Sequence, residues 1–190
     1  MRVGPRINAI RAGCKSAGES GVLAYAPARL VLGIDPGLRG AIALLEVSRR
    51  GRPQLVQVDD MPLHHPDGRQ ASRRVVDPVA LAQLVRGPAW DTAVVEAVGP
   101  APGQGVASMF SLGRSLGLVE GALAGLDGRE LVMVAPSVWK GSLRLAGGVA
   151  NKRRSVELAC RLWPAMANQL TNDGRAEAAL IAAWWVMSRK

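Results

Sequence analysis

Four carboxylates in this chain stand where carboxylates are costly unless they have a task. Asp35 follows the apolar run Val31-Leu-Gly-Ile34 and opens the turn Asp35-Pro36-Gly37. Glu96 lies inside the apolar stretch Thr92-Ala-Val-Val-Glu-Ala-Val98. Asp173 and Glu177 head the segment Asn172-Asp-Gly-Arg-Ala-Glu177, four residues apart and hence on one helical face. An acid buried without a partner is unfavourable, and like charges at that helical spacing repel. A cation among them relieves both problems. Hard oxygen donors of this kind suit Mg²⁺ or Mn²⁺. Two such ions, about 4 Å apart, can clamp the attacking and leaving oxygens of a phosphodiester. The set therefore points to metal-dependent hydrolysis of a nucleic-acid backbone, with Asp35, Glu96, Asp173 and Glu177 as candidate ligands. Each position also has a plainer reading. Asp35 can cap its turn, Glu96 can face solvent on an edge strand, and Asp173 with Glu177 can complement a helix dipole. For the last pair taken alone the plainer reading is the better one. The joint occurrence argues for chemistry.

The elements that must position these acids follow from hydrophobic pattern and turn residues. Val31–Ile34 reads as a buried strand and Ala41–Val47 as its hairpin partner. A third strand follows at Gln54–Asp60, then a polar loop, His64–Arg74. Asp77-Pro78 opens a short helix to about Val85. The Glu96 strand comes next, and the Gly-rich segment Gly99–Gly105 leads into a helix from Val106 to about Gly125. Small residues along that helix (Ser108, Gly113, Ser115, Gly117, Gly121, Ala124) suit close packing on a partner. Glu130–Ala135 is a fifth strand. Helices are expected from Pro136 to near Leu145, over Asn151–Leu162, and from Asp173 to about Ser188. Three strands followed by alternating helices and strands make a mixed α/β sheet in one domain.

Length and charge agree with a single enzyme domain. The 190 residues suffice for one sizeable core. No apolar run is long enough to span a membrane. Two cysteines, Cys14 and Cys160, are too few for a disulfide framework and point to a reducing compartment. A cytoplasmic, bacterial or phage-encoded protein is expected. Residues 1–29 carry five basic residues and one acidic residue and read as a poorly ordered basic tail. That composition also permits an organellar transit peptide. The net charge of +9 is uneven: residues 30–138 hold ten basic and eleven acidic residues, residues 139–190 nine and three. A basic C-terminal third beside an acidic cluster is what a nuclease needs, bases for phosphates and acids for metals. Solubility charge is the plainer reading.

The motifs, taken in order, resemble those of RuvC-type Holliday-junction resolvases of bacteria, phages and chloroplasts. The resemblance covers residues 30–188. It rests on Gly33-Ile-Asp-Pro-Gly37, Val95-Glu-Ala-Val98, the run from Pro102 to Gly117, Pro136-Ser-Val-Trp-Lys140, Lys152-Arg-Arg-Ser155 with Leu162-Trp-Pro164, and Gly174-Arg-Ala-Glu-Ala178. It implies a ribonuclease-H-like fold, a mixed five-stranded sheet flanked by helices. It also implies junction cleavage with about two Mg²⁺ or Mn²⁺ ions per site, held by Asp35, Glu96, Glu177 and the residue just upstream. That residue is Asp173 here and often a His in the phage and chloroplast branch. Lys140 and Lys152 fall on motifs that place lysines near the scissile phosphate, where a cation offsets developing charge. Arg114, Arg153, Arg154 and Arg175 are further candidates for DNA contact. Where the family often has an aromatic wedge, this chain has Gly99-Pro-Ala-Pro-Gly-Gln-Gly105, so Gln104 is assigned polar base contacts. A homodimer is implied, with residues 106–125 as its interface, since a four-way junction has two symmetric strands to cut.

Three other readings compete. An actin-like or sugar-kinase ATPase domain also uses an Asp/Gly strand-turn-strand, but needs two such halves and a longer chain. Another ribonuclease-H-like nuclease, or a silent nucleic-acid-binding relative, would share the fold. Gly-Arg-Ala-Glu and Trp139-Lys140 argue against the former, the four acids against the latter.

Overall fold

The computed structural model describes residues 28–48, 52–68, 73–100, 102–145 and 150–189. Most of the expected tail, residues 1–27, lies outside them. Among the described residues, seven strands and five α-helices follow in the order β1 (Arg29–Ile34), β2 (Ala41–Val47), β3 (Gln54–Asp60), β4 (Leu63–His64), β5 (Val75–Val76), α1 (Pro78–Arg86), β6 (Thr92–Glu96), α2 (Val106–Ala124), β7 (Glu130–Val134), α3 (Pro136–Ser142), α4 (Ala150–Leu162) and α5 (Asp173–Ser188).

Alternation along the strands builds two cores on one sheet. Val31 of β1, Ala43 and Leu45 of β2 and Val94 of β6 face one side, packing with Trp139 and with Ala178 and Ile181 of α5. Leu32, Ile34, Ile42, Leu44, Ala93 and Val95 face the other, packing with Leu81 of α1 and Val119 of α2. The period of two has separated the side chains onto opposite faces. The result is a three-layer α/β arrangement around a five-stranded sheet of order β3-β2-β1-β6-β7. β1, β2 and β3 are antiparallel neighbours, whereas β1–β6 and β6–β7 are parallel. This mixed sheet flanked by five helices is ribonuclease-H-like.

Local chemistry starts the helices where the sequence pattern expects them. Asp77 caps α1, its carboxylate accepting from the amides of Val79 and Ala80, with Pro78 in the first turn. Asn172 caps α5 by accepting from the Arg175 amide at 2.9 Å. The polar loop read as His64–Arg74 connects the two short strands of a hairpin, with Leu63 opposite Val76 and His64 opposite Val75. Each strand has two residues, too few for a periodic signal. The Glu96 strand ends at Glu96 rather than running on to Val98. Among the described residues no helix is long and apolar enough to cross a membrane.

Candidate active site

The parallel pairing of β1 with β6 sets Ile34 opposite Val95. Asp35, which follows β1, and Glu96, which ends β6, therefore lie side by side at the C-terminal ends of two neighbouring inner strands. Both continue the parity of Gly33 and Val94, toward the α5 layer. The two positions are brought together by register, across 61 residues of sequence.

Glycines let α5 come close enough to add its acids. A Cβ on Gly33 would stand 2.0 Å from the Ala178 carbonyl oxygen, so the β1 backbone rests directly on α5 beside Glu177. A Cβ on Gly174 would meet the Arg39 carbonyl oxygen at 2.0 Å. The first turn of α5 thus seats on the β1–β2 turn, with Asp173 adjacent. Arg175 fixes the same end from outside, pairing with both Asp60 oxygens at 2.6 and 2.7 Å and donating to the Gln169 carbonyl at 3.1 Å. The hydrogen bond from Arg175 holds the Asp60 carboxyl below its usual pKa.

One cation sits among the acids. Lys140, from the last turn of α3, donates to Glu177 Oε2 at 2.8 Å and lies 3.9 Å from Glu96 Oε1. Burial opposes its charge, but Glu177's hydrogen bond and the charges of Glu177, Glu96 and Asp35 raise its pKa. Each of three acids also has a fixed donor on one oxygen. The indole of Trp139, wholly buried, donates to Glu96 Oε1 at 3.0 Å, and Ser155 of α4 donates to Glu177 Oε1 at 3.1 Å. Asp35 accepts the Gly37 amide at 3.0 Å.

One lysine does not neutralise this cluster. Burial pushes Asp35 up to about 6, with the charges of Glu177 and Asp173 adding to the effect. Burial, then the charge of Asp35, raises Glu96 to about 7. Buried oxygens carrying more negative charge than their surroundings offset are suited to a hard cation. As the side chains stand, no three His, Cys, Asp or Glu among the described residues are grouped closely enough to hold a metal ion. Lys140 occupies part of the space between them.

The other candidates are dispersed. Lys152 begins α4, and its side chain lies outside the described residues. Arg153 and Arg154 are exposed on α4, and Arg153 pairs with Glu157 at 2.9 Å. Arg114 is exposed on α2, in the layer across the sheet from α5, at a cavity of about 200 Å³ shared with Arg73 and Phe110. Gln104 is half-buried just before α2. Arg175, a candidate for DNA contact, is engaged with Asp60. Sequence reasoning assigns no role to the Trp139 indole or the Ser155 hydroxyl. Their only signal is membership in the motifs Pro136–Lys140 and Lys152–Ser155.

No protein-family model matches the sequence, and no curated protein matches it. Solved structures do. The structure of T. thermophilus RuvC in complex with Holliday junction substrate superposes with a TM-score of 0.53 at 16% identity, covering 85% of this chain and 94% of that one. A second Thermus thermophilus RuvC structure gives 0.52 at 17% identity, covering 84% and 96%. The order and pairing of the strands, the five flanking helices and this near-complete coverage establish a RuvC-like, ribonuclease-H-like fold.

Proposed function

We propose that the chain is a structure-specific endonuclease that resolves four-way DNA junctions by paired, metal-dependent phosphodiester hydrolysis. The observation that carries this reading is the convergence of Asp35, Glu96 and Glu177 around Lys140, in a fold shared with a junction-bound RuvC. Asp35, Glu96, Asp173 and Glu177 would hold Mg²⁺ or Mn²⁺. When bound, such ions would supply Lewis-acid activation of water and charge stabilisation at the leaving oxygen.

The chain's own residues set up that chemistry. Trp139 and Ser155 each hold one oxygen of Glu96 and Glu177, and entry of an ion would require Lys140 to leave the space between these acids. Lys140 supplies a positive charge within the acid cluster, from which it can meet charge developing on a phosphoryl oxygen. The exposed basic face of α4, with Arg153 and Arg154, would attract the DNA backbone.

A homodimer fits this reading, because two cuts across a symmetric junction need two sites. The first turns of α2 expose Val106 and Phe110 at 78% and 74%, beside the small residues of the same helix. Apolar surface of this kind favours a partner. The test is incubation of labelled four-way junction, matched duplex and RNA–DNA hybrid with the protein, in chelator and then in Mg²⁺ or Mn²⁺. Paired nicks in the junction alone, after metal addition, are expected. Cutting confined to the hybrid would instead mark a ribonuclease H, and ATP turnover without cutting would mark the ATPase reading.

A further inference from the structure

A polar cavity of about 490 Å³ opens beside the acid cluster, between the β1–β2 turn, the β4–β5 hairpin and the start of α5. It shares walls with the candidate active site. Asp173 lines it directly, and so does Gly40, whose Cβ would stand 2.1 Å from the Asp35 carbonyl oxygen. Two arginines, Arg39 and Arg74, also line it. Both are exposed, and among the described residues neither is in an ion pair with an acid. Asp60 in the same wall is held by Arg175. Leu38, Met61 and Leu63 supply an apolar lining.

We propose that this cavity holds the nucleotide next to the scissile phosphate, with Arg39 and Arg74 gripping its phosphodiester. The inference rests on the nuclease reading and extends it to the path of the cut strand. The chemistry fits in three respects. Guanidinium groups present paired N–H donors that match non-bridging phosphate oxygens. The apolar wall suits a deoxyribose or base face. The volume lies within the range of about 300–1,000 Å³ common for small-ligand sites. The cavity is also preformed. The Met61 amide bonds the Gly40 carbonyl at 2.9 Å and the Asp77 amide bonds the Pro62 carbonyl at 2.8 Å, tying the hairpin to the turn. A strand seated there would run past Asp173, a candidate metal ligand, which places the site to set the cut position rather than only to add affinity.

The decisive experiment replaces single phosphates by neutral methylphosphonates, scanned over the linkages flanking the cut in a four-way junction. The readout is single-turnover cleavage by the full-length protein with Mn²⁺. One flanking position is expected to slow the wild type about tenfold, the effect of removing one charge-assisted hydrogen bond. The R39Q/R74Q variant should cut the unmodified junction about tenfold more slowly and be indifferent to that position. A wild type that cuts normally with every flanking linkage neutralised overturns the inference and leaves the nuclease reading intact. So does a variant that keeps the wild-type sensitivity. A wild type that cuts no DNA overturns both. The scan on the wild type needs no substitution, so a poorly folding variant does not protect the idea.

Discussion

The two faces of the sheet are built by different rules. Toward α1 and α2, the buried residues contributed by β1, β2 and β6 are hydrocarbon: Leu32, Ile34, Ile42, Leu44, Ala93 and Val95. Toward α5 the same strands alternate Val31, Gly33 and Val94 and then deliver Asp35 and Glu96. Here a glycine replaces bulk, an alanine-rich helix comes up against the strand backbone, and the buried Glu96, Ser155 and Glu177 are each hydrogen-bonded. The hydrocarbon face needs only volume and pattern. The α5 face needs distances, and it obtains them by removing side chains. Stability is thus drawn broadly from both layers, while the candidate site is confined to one end of one layer.

The largest effect should separate these roles outright. Asp35→Asn and Glu96→Gln keep shape but remove a charged ligand. Each is expected to lower junction cleavage by at least about a hundredfold while leaving junction binding in place. Leu32→Ala, on the other face, should destabilise by about 2–5 kcal/mol with cleavage by the folded protein nearly unchanged. Cleavage and denaturation measurements on the three variants check this. A smaller loss at Asp35 would argue against metal hydrolysis at this site.

Gly33 tests whether α5 is placed by the absence of a side chain. Gly33→Ala puts a methyl group where the Ala178 carbonyl stands, 2.0 Å away. Backbone on both sides leaves little to yield. The expected cost is about 3 kcal/mol or more in stability, with cleavage falling as Glu177 moves off. An unchanged melting temperature would mean that the α5 face tolerates bulk like its counterpart.

Binding should respond to a third region. Replacing Lys152, Arg153 and Arg154 by Ala is expected to weaken junction binding and flatten its salt dependence, by about one log–log unit for each phosphate no longer held. A slope equal to the parent's would make the cluster a solvated face.

How much of this was legible in the sequence follows the same division. β2 and β3 have the limits read from the sequence, because apolar alternation and turn residues mark them. So does the start of α5, marked by Asn172-Asp173. Asp35 and Glu96 stood out because each broke an apolar pattern, Asp173 and Glu177 because their spacing sets them on one helical face. Of their partners, Lys140 was legible only through its motif, and the roles of the Trp139 indole and the Ser155 hydroxyl were not. Lys140 reaches Glu177 across 37 residues and Trp139 reaches Glu96 across 43, and neither a lysine nor a tryptophan is unusual where it stands. Arg39 and Arg74 look like ordinary surface arginines until the β4–β5 hairpin brings them to one cavity. Period-based reading has no hold on two-residue strands.

The smallest expected effect concerns pH and metal, and it belongs to the α5 face alone. Asp35 at about 6 and Glu96 at about 7 stand above ordinary values of 3.8 and 4.5. Between roughly pH 4 and 7 the folded protein therefore holds protons that the unfolded chain has released. The stability contributed by these groups is full below that window, falls as pH rises through it, and levels off above about 7. Without divalent ions the melting temperature should be lower at pH 7.5 than at pH 5. Asp35→Asn, which removes the burdened charge, should stabilise the metal-free protein by about 1–2 kcal/mol at pH 7.5 and much less at pH 5, after allowance for partial solvent exposure. Mg²⁺ or Mn²⁺ should do for the wild type what the substitution does, because an ion that binds only the folded acids stabilises it by mass action. It should do so more at pH 7.5, where the acids are deprotonated, and less in Asp35→Asn. Thermal melts at the two pH values, with chelator and with metal, measure all of these differences. Melts that ignore both pH and metal would mean that Lys140 already balances the cluster, and that the acids of this face are structural like the hydrocarbon of the other.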